Sequence, residues 1–319
     1  MNDRIGGHST RRGSRRFQAA LIFGLIVALA TLTLASLAPA TFPGHNGRIA
    51  FVRKQRGRLP AIYTMRADGS QQRRLVQAAQ LPQYSADGRK LMFVPYQNKH
   101  LKRPGLYVVR ANGSHIHRIP HTSGALDGSF APSGRKIAFT LFHQKSISSD
   151  VYTMRLDGSH RQRLTHLHGA GGPTYSPNGR WIAFAVGGPP CDVLVMHANG
   201  TGQRFLTKHD TGSICDFGPD FSPNGRKLVF SRSQPGHPPQ GAIYSIRRDG
   251  RHLRRLYHAK SVTIGNAVFS PRGGRVAFSR RLFAEPVMRA FTIKPDGSHR
   301  TPLGRAGVWR EQLNWGVRP

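Results

Sequence analysis

TYSPNGRWIAF, Thr174 to Phe184, and DFSPNGRKLVF, Asp220 to Phe230, are two copies of one phrase. An aromatic residue is followed by Ser-Pro-Asn-Gly-Arg and then by a short apolar run. A second phrase, IYTMRADGSQQRRL (Ile62 to Leu75) and VYTMRLDGSHRQRL (Val151 to Leu164), adds another apolar run, an Asp-Gly-Ser turn and an Arg-rich stretch. The residue before the turn glycine falls at Asp68, Asn112, Asp157, Asn199, Asp249 and Asp296, with gaps of 44, 45, 42, 50 and 47 residues. Four-stranded propeller blades repeat at roughly 40–50 residues, and each repeat must bury its apolar faces on its neighbours. Helical solenoids of similar period do not fit runs this short.

Each unit reads as four strands, a to d. Strand a carries an aromatic: Tyr84, Phe130, Tyr175, Phe221 or Phe269. Strand b is the run typified by Ile49-Ala-Phe-Val52 and Ile182-Ala-Phe-Ala185, apolar on both faces as a sandwiched strand must be. Strand c carries Tyr63, Tyr107, Tyr152, Tyr244 or Phe291, with Leu194 as the odd member, and strand d holds the arginines. Asp-Gly and Asn-Gly between such runs are hairpin signals, because Gly accepts positive φ without steric cost. The first unit starts at Gly47 with strand b, and Leu313-Asn-Trp-Gly-Val317 reads as a solitary strand a with Trp315 in the aromatic slot. The two ends therefore complete one blade, which closes the ring. The expected fold is an all-β, six-bladed propeller of four-stranded antiparallel blades over residues 46–319.

This wording resembles the TolB-like β-propeller repeats, a WD40-like family also found in the propellers of prolyl-oligopeptidase-type enzymes. The resemblance covers Asn46 to Pro319 and implies the fold rather than one activity. We expect no α/β domain ahead of the propeller, because the repeats start directly after an apolar segment.

That segment follows a basic tail, residues 1–18, which includes Arg11, Arg12, Arg15 and Arg16. Residues 19–40 are uncharged and long enough for a membrane helix, with the tail inside and the propeller outside. Ala38-Pro39-Ala40 resembles a signal-peptidase site. The segment reads either as a cleaved signal peptide or as a single-pass anchor, and both place the propeller outside the cytoplasm, in the cell envelope or secreted. The two cysteines, Cys191 and Cys215, fall on a b–c loop and a d–a connection. Both connections emerge on one face of a four-stranded meander, and exported domains favour disulfides, so we expect a bridge.

The formal charge is +34, from 48 basic and 14 acidic residues. Strand-d arginines on blade edges block edge-to-edge pairing. The b–c loops carry Lys54, Arg56, Arg58, Lys99, Lys102 and Arg103, and the d–a connections carry His121, His166, His209 and His258. We take these ten as the candidate ligand-binding face, since variable loops on a rigid scaffold are where binding sits. We expect a non-catalytic binding scaffold whose partner is a protein, an anionic envelope polymer or lipid headgroups, with the membrane a further partner if the N-terminal helix is uncleaved; compositional drift toward arginine is the alternative account of the charge. Nucleic acid is disfavoured, because the charge is spread around the ring without interleaved exposed aromatics.

No Gly-x-Ser-x-Gly elbow, phosphate loop or Cys-x-x-Cys pair occurs. No catalytic residue and no cofactor is expected. The alternative is a channel-face enzyme, a metal-assisted lyase or hydrolase using loop His and Asp residues, with His166 and His258 as the candidate ligands. Asp150 and Asp192, at the starts of two c strands, match a recurrent feature of the TolB-like repeat, which implies that they bond backbone N–H groups at the turn.

Overall fold

The computed structural model describes residues 41–96, 101, 103–188, 191–210, 213–285, 287–304 and 310–319. The basic tail and the apolar segment at 19–40 lie outside the described residues. Among the described residues no helix is long and apolar enough to cross a membrane.

The first phrase folds as it does because its polar residues bond one another. In the Tyr175 copy, Gly179 N–H donates to the Ser176 carbonyl at 2.9 Å, and Gly179 takes φ +70°. The Asn178 carboxamide oxygen accepts from the Ser176 hydroxyl (2.8 Å) and from Arg180 N–H (3.1 Å), so one side chain ties the two sides of the turn together. The Asp-Gly-Ser turn is a three-residue loop. Arg155 N–H donates to the Ser159 carbonyl at 2.9 Å, and Asp157 accepts Ser159 N–H at 2.8 Å. A second left-handed residue follows the serine position (Arg251 in blade 5), found at Gln71, His115, His160, His252 and His299, with φ between +48° and +56°. Four of the sixteen histidines are thereby accounted for as turn residues.

These turns join twenty-four strands into six four-stranded antiparallel sheets. Blade 1 contains β1 (Asn46–Gln55), β2 (Arg58–Met65) and β3 (Arg73–Gln77). Blade 2 contains β4 (Ala79–Tyr84), β5 (Lys90–Pro95), β6 (Tyr107–Arg110) and β7 (His117–Arg118). Blade 3 contains β8 (Ala125–Phe130), β9 (Lys136–His143), β10 (Ser148–Arg155) and β11 (Gln162–Arg163). Blade 4 contains β12 (Ala170–Tyr175), β13 (Trp181–Val186), β14 (Asp192–His197) and β15 (Arg204–Phe205). Blade 5 contains β16 (Cys215–Phe221), β17 (Lys227–Gln234), β18 (Gln240–Arg247) and β19 (Arg254–Lys260). Blade 6 contains β20 (Val262–Phe269), β21 (Val276–Leu282), β22 (Arg289–Ile293) and β23 (Thr301–Pro302). The last strand, β24 (Glu311–Val317), pairs with β1 through Ile49–Trp315 and Ala50–Asn314, so blade 1 is built from both ends of the chain. Each strand a touches the strand a of the next blade, and β20 meets β24, which closes the inner ring.

The core repeats with the blades. Phe51, Phe93, Phe139, Phe184, Phe230 and Phe278, one per b strand, are all fully buried. Each sits directly opposite the aromatic of strand c, as in Phe51–Tyr63 and Phe230–Tyr244, except that Phe184 faces Leu194. Truncating such a phenylalanine to alanine costs about 3–5 kcal/mol. The closing strand fits because it carries Gly316: a Cβ there would lie 2.6 Å from the Tyr84 ring.

Three d-strand arginines hold blades to one another. Arg73 and Arg254 on d strands donate to the carbonyls of Ala111 (2.9 Å) and Asp296 (3.0 Å), in the c–d turn region of the following blade. Arg204 reaches the Arg248 carbonyl in the same way. Within a blade, Arg275 donates to His299 O at 2.9 Å. Part of the positive charge is therefore spent on backbone carbonyls, a use that the edge-protection argument does not foresee.

Candidate functional site

The b–c loops and d–a connections share one face of the ring, as the meander requires, but they do not merge the candidate residues into one site. Lys54 pairs with Glu311 at 2.7 Å. Arg56 and Arg58 are exposed in the β1–β2 hairpin. Arg103 is exposed, and its carbonyl accepts the Tyr107 hydroxyl at 3.1 Å. Lys99 and Lys102 lie outside the described residues. His121 is exposed with φ +55°, and His166 is also exposed. His258 is not in a d–a connection: β19 is long enough to include it, opposite Ala242, with Nε2 3.1 Å from Gln240 Oε1. Among the described residues, the one group of three metal-ligating side chains within reach of one another contains neither His166 nor His258.

That group is Asp192, His209 and Asp216, with ligand atoms within 4.8 Å of one another. It forms because Cys191 and Cys215 are bonded (S–S 2.00 Å) and lie side by side in a parallel bridge. The residue after each cysteine is an aspartate, so the link brings the start of β14 beside the start of β16. Both aspartates are buried. His209 Nε2–H donates to Asp216 Oδ2 at 3.0 Å and lies 3.8 Å from Asp192 Oδ1. Arg232, on β17, grips Asp216 with two bonds, Nε to Oδ1 at 2.6 Å and a terminal nitrogen to Oδ2 at 2.8 Å. Burial works against the Arg232 charge, but the bonds and charge of Asp216 outweigh it and hold the guanidinium above its ordinary range. The same guanidinium lies over the Tyr244 ring, 4.4 Å from its centroid. Two carboxylates and an imidazole are a donor set that suits a transition metal. Here both oxygens of Asp216 already carry a guanidinium, so an ion would compete with Arg232 for them.

Blade 3 shows what the strand-c aspartate does by itself. Asp150 accepts the Thr165 hydroxyl (2.8 Å), Leu167 N–H (3.0 Å) and Arg163 (2.6 Å). Thr165 in turn accepts Val151 N–H at 2.9 Å. Thr207 repeats this with Val193 N–H (3.0 Å) and Asp192 (3.2 Å). The backbone role implied by the repeat resemblance is thus present, directly at Leu167 N–H and, for Val151 N–H, relayed through a threonine.

A second feature of this face is a concavity of about 340 Å³ on blade 1, lined by Arg53, Gln55, Gly57, Arg58, Leu59, Ala61, Tyr63, Arg74 and Gln77. Its lining comes from the β1–β2 hairpin and from β3. Arg53 stacks on Tyr63, 5.2 Å from the ring centroid. No carboxylate among the described residues pairs with Arg53, Arg58 or Arg74. Leu59 is half exposed (49 %) and adds an apolar wall beside Tyr63. The sequence points to Arg58 through its loop. It does not point to Arg53, which sits at the end of strand b, or to Arg74, which reads as edge protection.

The sequence profile of the TolB beta propeller domain matches residues 25–213, more than half of the chain. No curated protein matches. Among solved structures, TolB from Acinetobacter baumannii is similar with a TM-score of 0.72 and 20 % identity over 85 % of this chain and 67 % of that one. A putative TolB from Agrobacterium tumefaciens gives a TM-score of 0.63 at 18 % identity, over 86 % of this chain and 100 % of that one. An oligogalacturonate lyase in complex with manganese gives 0.58 at 13 % identity, over 85 % and 79 %. At these identities the likenesses speak for the fold alone.

Proposed function

Because this chain belongs to the TolB beta-propeller domain family, a fold that serves both non-enzymatic and enzymatic proteins, we propose that it is a non-catalytic binding scaffold acting outside the cytoplasm. Its ligand is an anionic envelope polymer or the acidic segment of a protein, taken on the b–c/d–a face. The observation that carries the reading is the blade 1 concavity: three guanidinium groups with no carboxylate partner among the described residues, beside the apolar walls of Tyr63 and Leu59. Such a site suits an anionic group carried on a body with an apolar face, such as an acidic sugar or an acidic peptide. The net charge speeds encounter, and the concavity supplies selection.

The test uses inorganic polyphosphate as the probe, with acidic liposomes, wall polymer and DNA alongside, at graded salt. Replacing Arg53, Arg58 and Arg74 together by alanine should weaken binding at least tenfold. Replacing Arg89, Arg135 and Arg226, exposed on the opposite turns, changes the net charge equally and should change binding much less. Equal losses in both variants, or binding that vanishes at physiological salt for every probe, would reduce the charge to background.

A second reading, a metal-assisted lyase or hydrolase, is favoured by the Asp192–His209–Asp216 group. Metal analysis of protein purified without chelator separates the two. Stoichiometric transition metal lost in His209→Ala supports the enzyme, and its absence supports the scaffold.

A further inference from the structure

Asp220 is the last residue before the aromatic on strand a of blade 5, and it is wholly buried. The same position carries Asn314, Gln83, Ser129, Thr174 and Val268 in the other blades. In blade 1 the Asn314 carboxamide oxygen accepts Tyr84 N–H of the next blade at 2.7 Å. Asp220 does the matching job for Phe269 N–H, also at 2.7 Å. A neutral side chain is therefore enough to join one inner strand to the next, and the carboxylate at 220 must answer to something else.

The structure shows what that is. Thr41, itself fully buried, donates its backbone N–H to Asp220 Oδ1 at 2.9 Å and its hydroxyl to Oδ2 at 2.7 Å. Phe42 is buried beside it, and Gly44 N–H reaches the Pro271 carbonyl at 3.3 Å. No cation among the described residues pairs with Asp220. Burial drives its carboxyl well above the usual range, against the bonds from Phe269 and Thr41. An isolated buried carboxylate is costly, and the remedy is a positive charge at the same place. The three residues before Thr41 are Ala38-Pro39-Ala40, with small side chains at the first and third positions before the bond, as a signal peptidase requires.

We propose that the Ala40–Thr41 bond is a processing site, and that the new N-terminus of Thr41 is the counter-charge for which Asp220 is built. Water adds across the amide in a membrane endoprotease, leaving Ala40 as a carboxylate and Thr41 as an α-ammonium. Thr41 N then offers a full charge and three protons where the uncut chain offers one N–H. The cut precedes folding, because Thr41 is inaccessible in the closed ring. Processing thereby fastens the leading segment across blades 5 and 6 and stabilises the mature form over the precursor. The inference rests on the exported reading above.

All six sheets and the closing strand lie within residues 41–319, so the test compares that chain bearing a free Thr41 amine with the same chain N-acetylated or preceded by Ala40. The free terminus should melt higher by about 5 °C or more, and its amine should resist acylating reagents until the protein is denatured. In the Asp220→Asn background the free and blocked chains should melt alike. Equal melting of the two wild-type forms, or an undiminished difference in Asp220→Asn, overturns the proposal. The N-terminus of the full chain, exported with its own leader and read by mass spectrometry, separates the two layers. An intact leader on cytoplasmic protein defeats the exported reading, whereas export with a cut elsewhere defeats this proposal alone.

Discussion

The face formed by the b–c loops and d–a connections has two charged regions that differ in kind. At blades 4 and 5, two aspartates, a histidine and an arginine lie under a disulfide, and each charge meets a protein partner. At blade 1, three arginines share a concavity and none meets a carboxylate among the described residues. The first is the ledger of a site whose electrostatics are internally complete, which holds loops in place. The second has unspent attraction, and that is what a ligand can use. On the proposed reading, ligand capacity on this face follows the partnering of each guanidinium rather than the local density of basic residues.

The contrast can be broken most strongly at Asp216. Asp216→Ala would strand Arg232, whose side chain is only 17 % exposed, and should cost about 3–5 kcal/mol of unfolding free energy. The matching Asp150→Ala leaves Arg163 at 32 % exposure, within reach of water, and should cost less, about 1–3 kcal/mol. Denaturant titration of both variants checks the ranking, and an equal loss would erase the distinction between closed and open partnering.

Next in size is the covalent link. Cys191→Ser with Cys215→Ser opens a loop with a separation of 24 residues, worth about 3.5 kcal/mol by loop entropy. Polyphosphate binding at blade 1 should be unchanged in that variant, and a loss there would show that the two regions are coupled.

The smallest effect is expected at Asp127, on the inner strand of blade 3, a carboxylate with a hydroxyl partner and no cation among the described residues. Burial pushes it up to about 6, against the bond from Thr140. Its folded value lies above its unfolded one. The native state therefore holds the proton more tightly, and this contribution to stability is present below about pH 4 and lost as pH rises through 6. Asp127→Asn should accordingly gain about 1–3 kcal/mol at pH 8 relative to its effect at pH 4. Thermal melts across that range would show the trend, and a pH-independent difference would contradict the assignment.

The period of the Asp-Gly turns, the aromatic slots and the shared first blade were legible in the chain because each is a local pattern that repeats. The structure then set Phe51 opposite Tyr63 and Trp315 beside Ile49, as the phrases require. The Asp192–His209–Asp216–Arg232 cluster was not legible as a whole, because its members come from two blades and from loops of unequal length. One signal was present: each cysteine is followed by an aspartate, so pairing the cysteines pairs the carboxylates. Arg53 and Arg74 carried no signal, since each fills a position that elsewhere has a structural use. The placement of His258 followed from assuming equal strand lengths, which β19 does not obey.

Sequence alone determined the number of blades, the strand order and the closure, because hydrophobic period and turn chemistry act between residues close along the chain. Only the tertiary structure decided which charges are spent and which are free. Ion pairing depends on distance and burial across blades, and a repeat written six times in one dimension does not encode which copy of an arginine will find an oxygen.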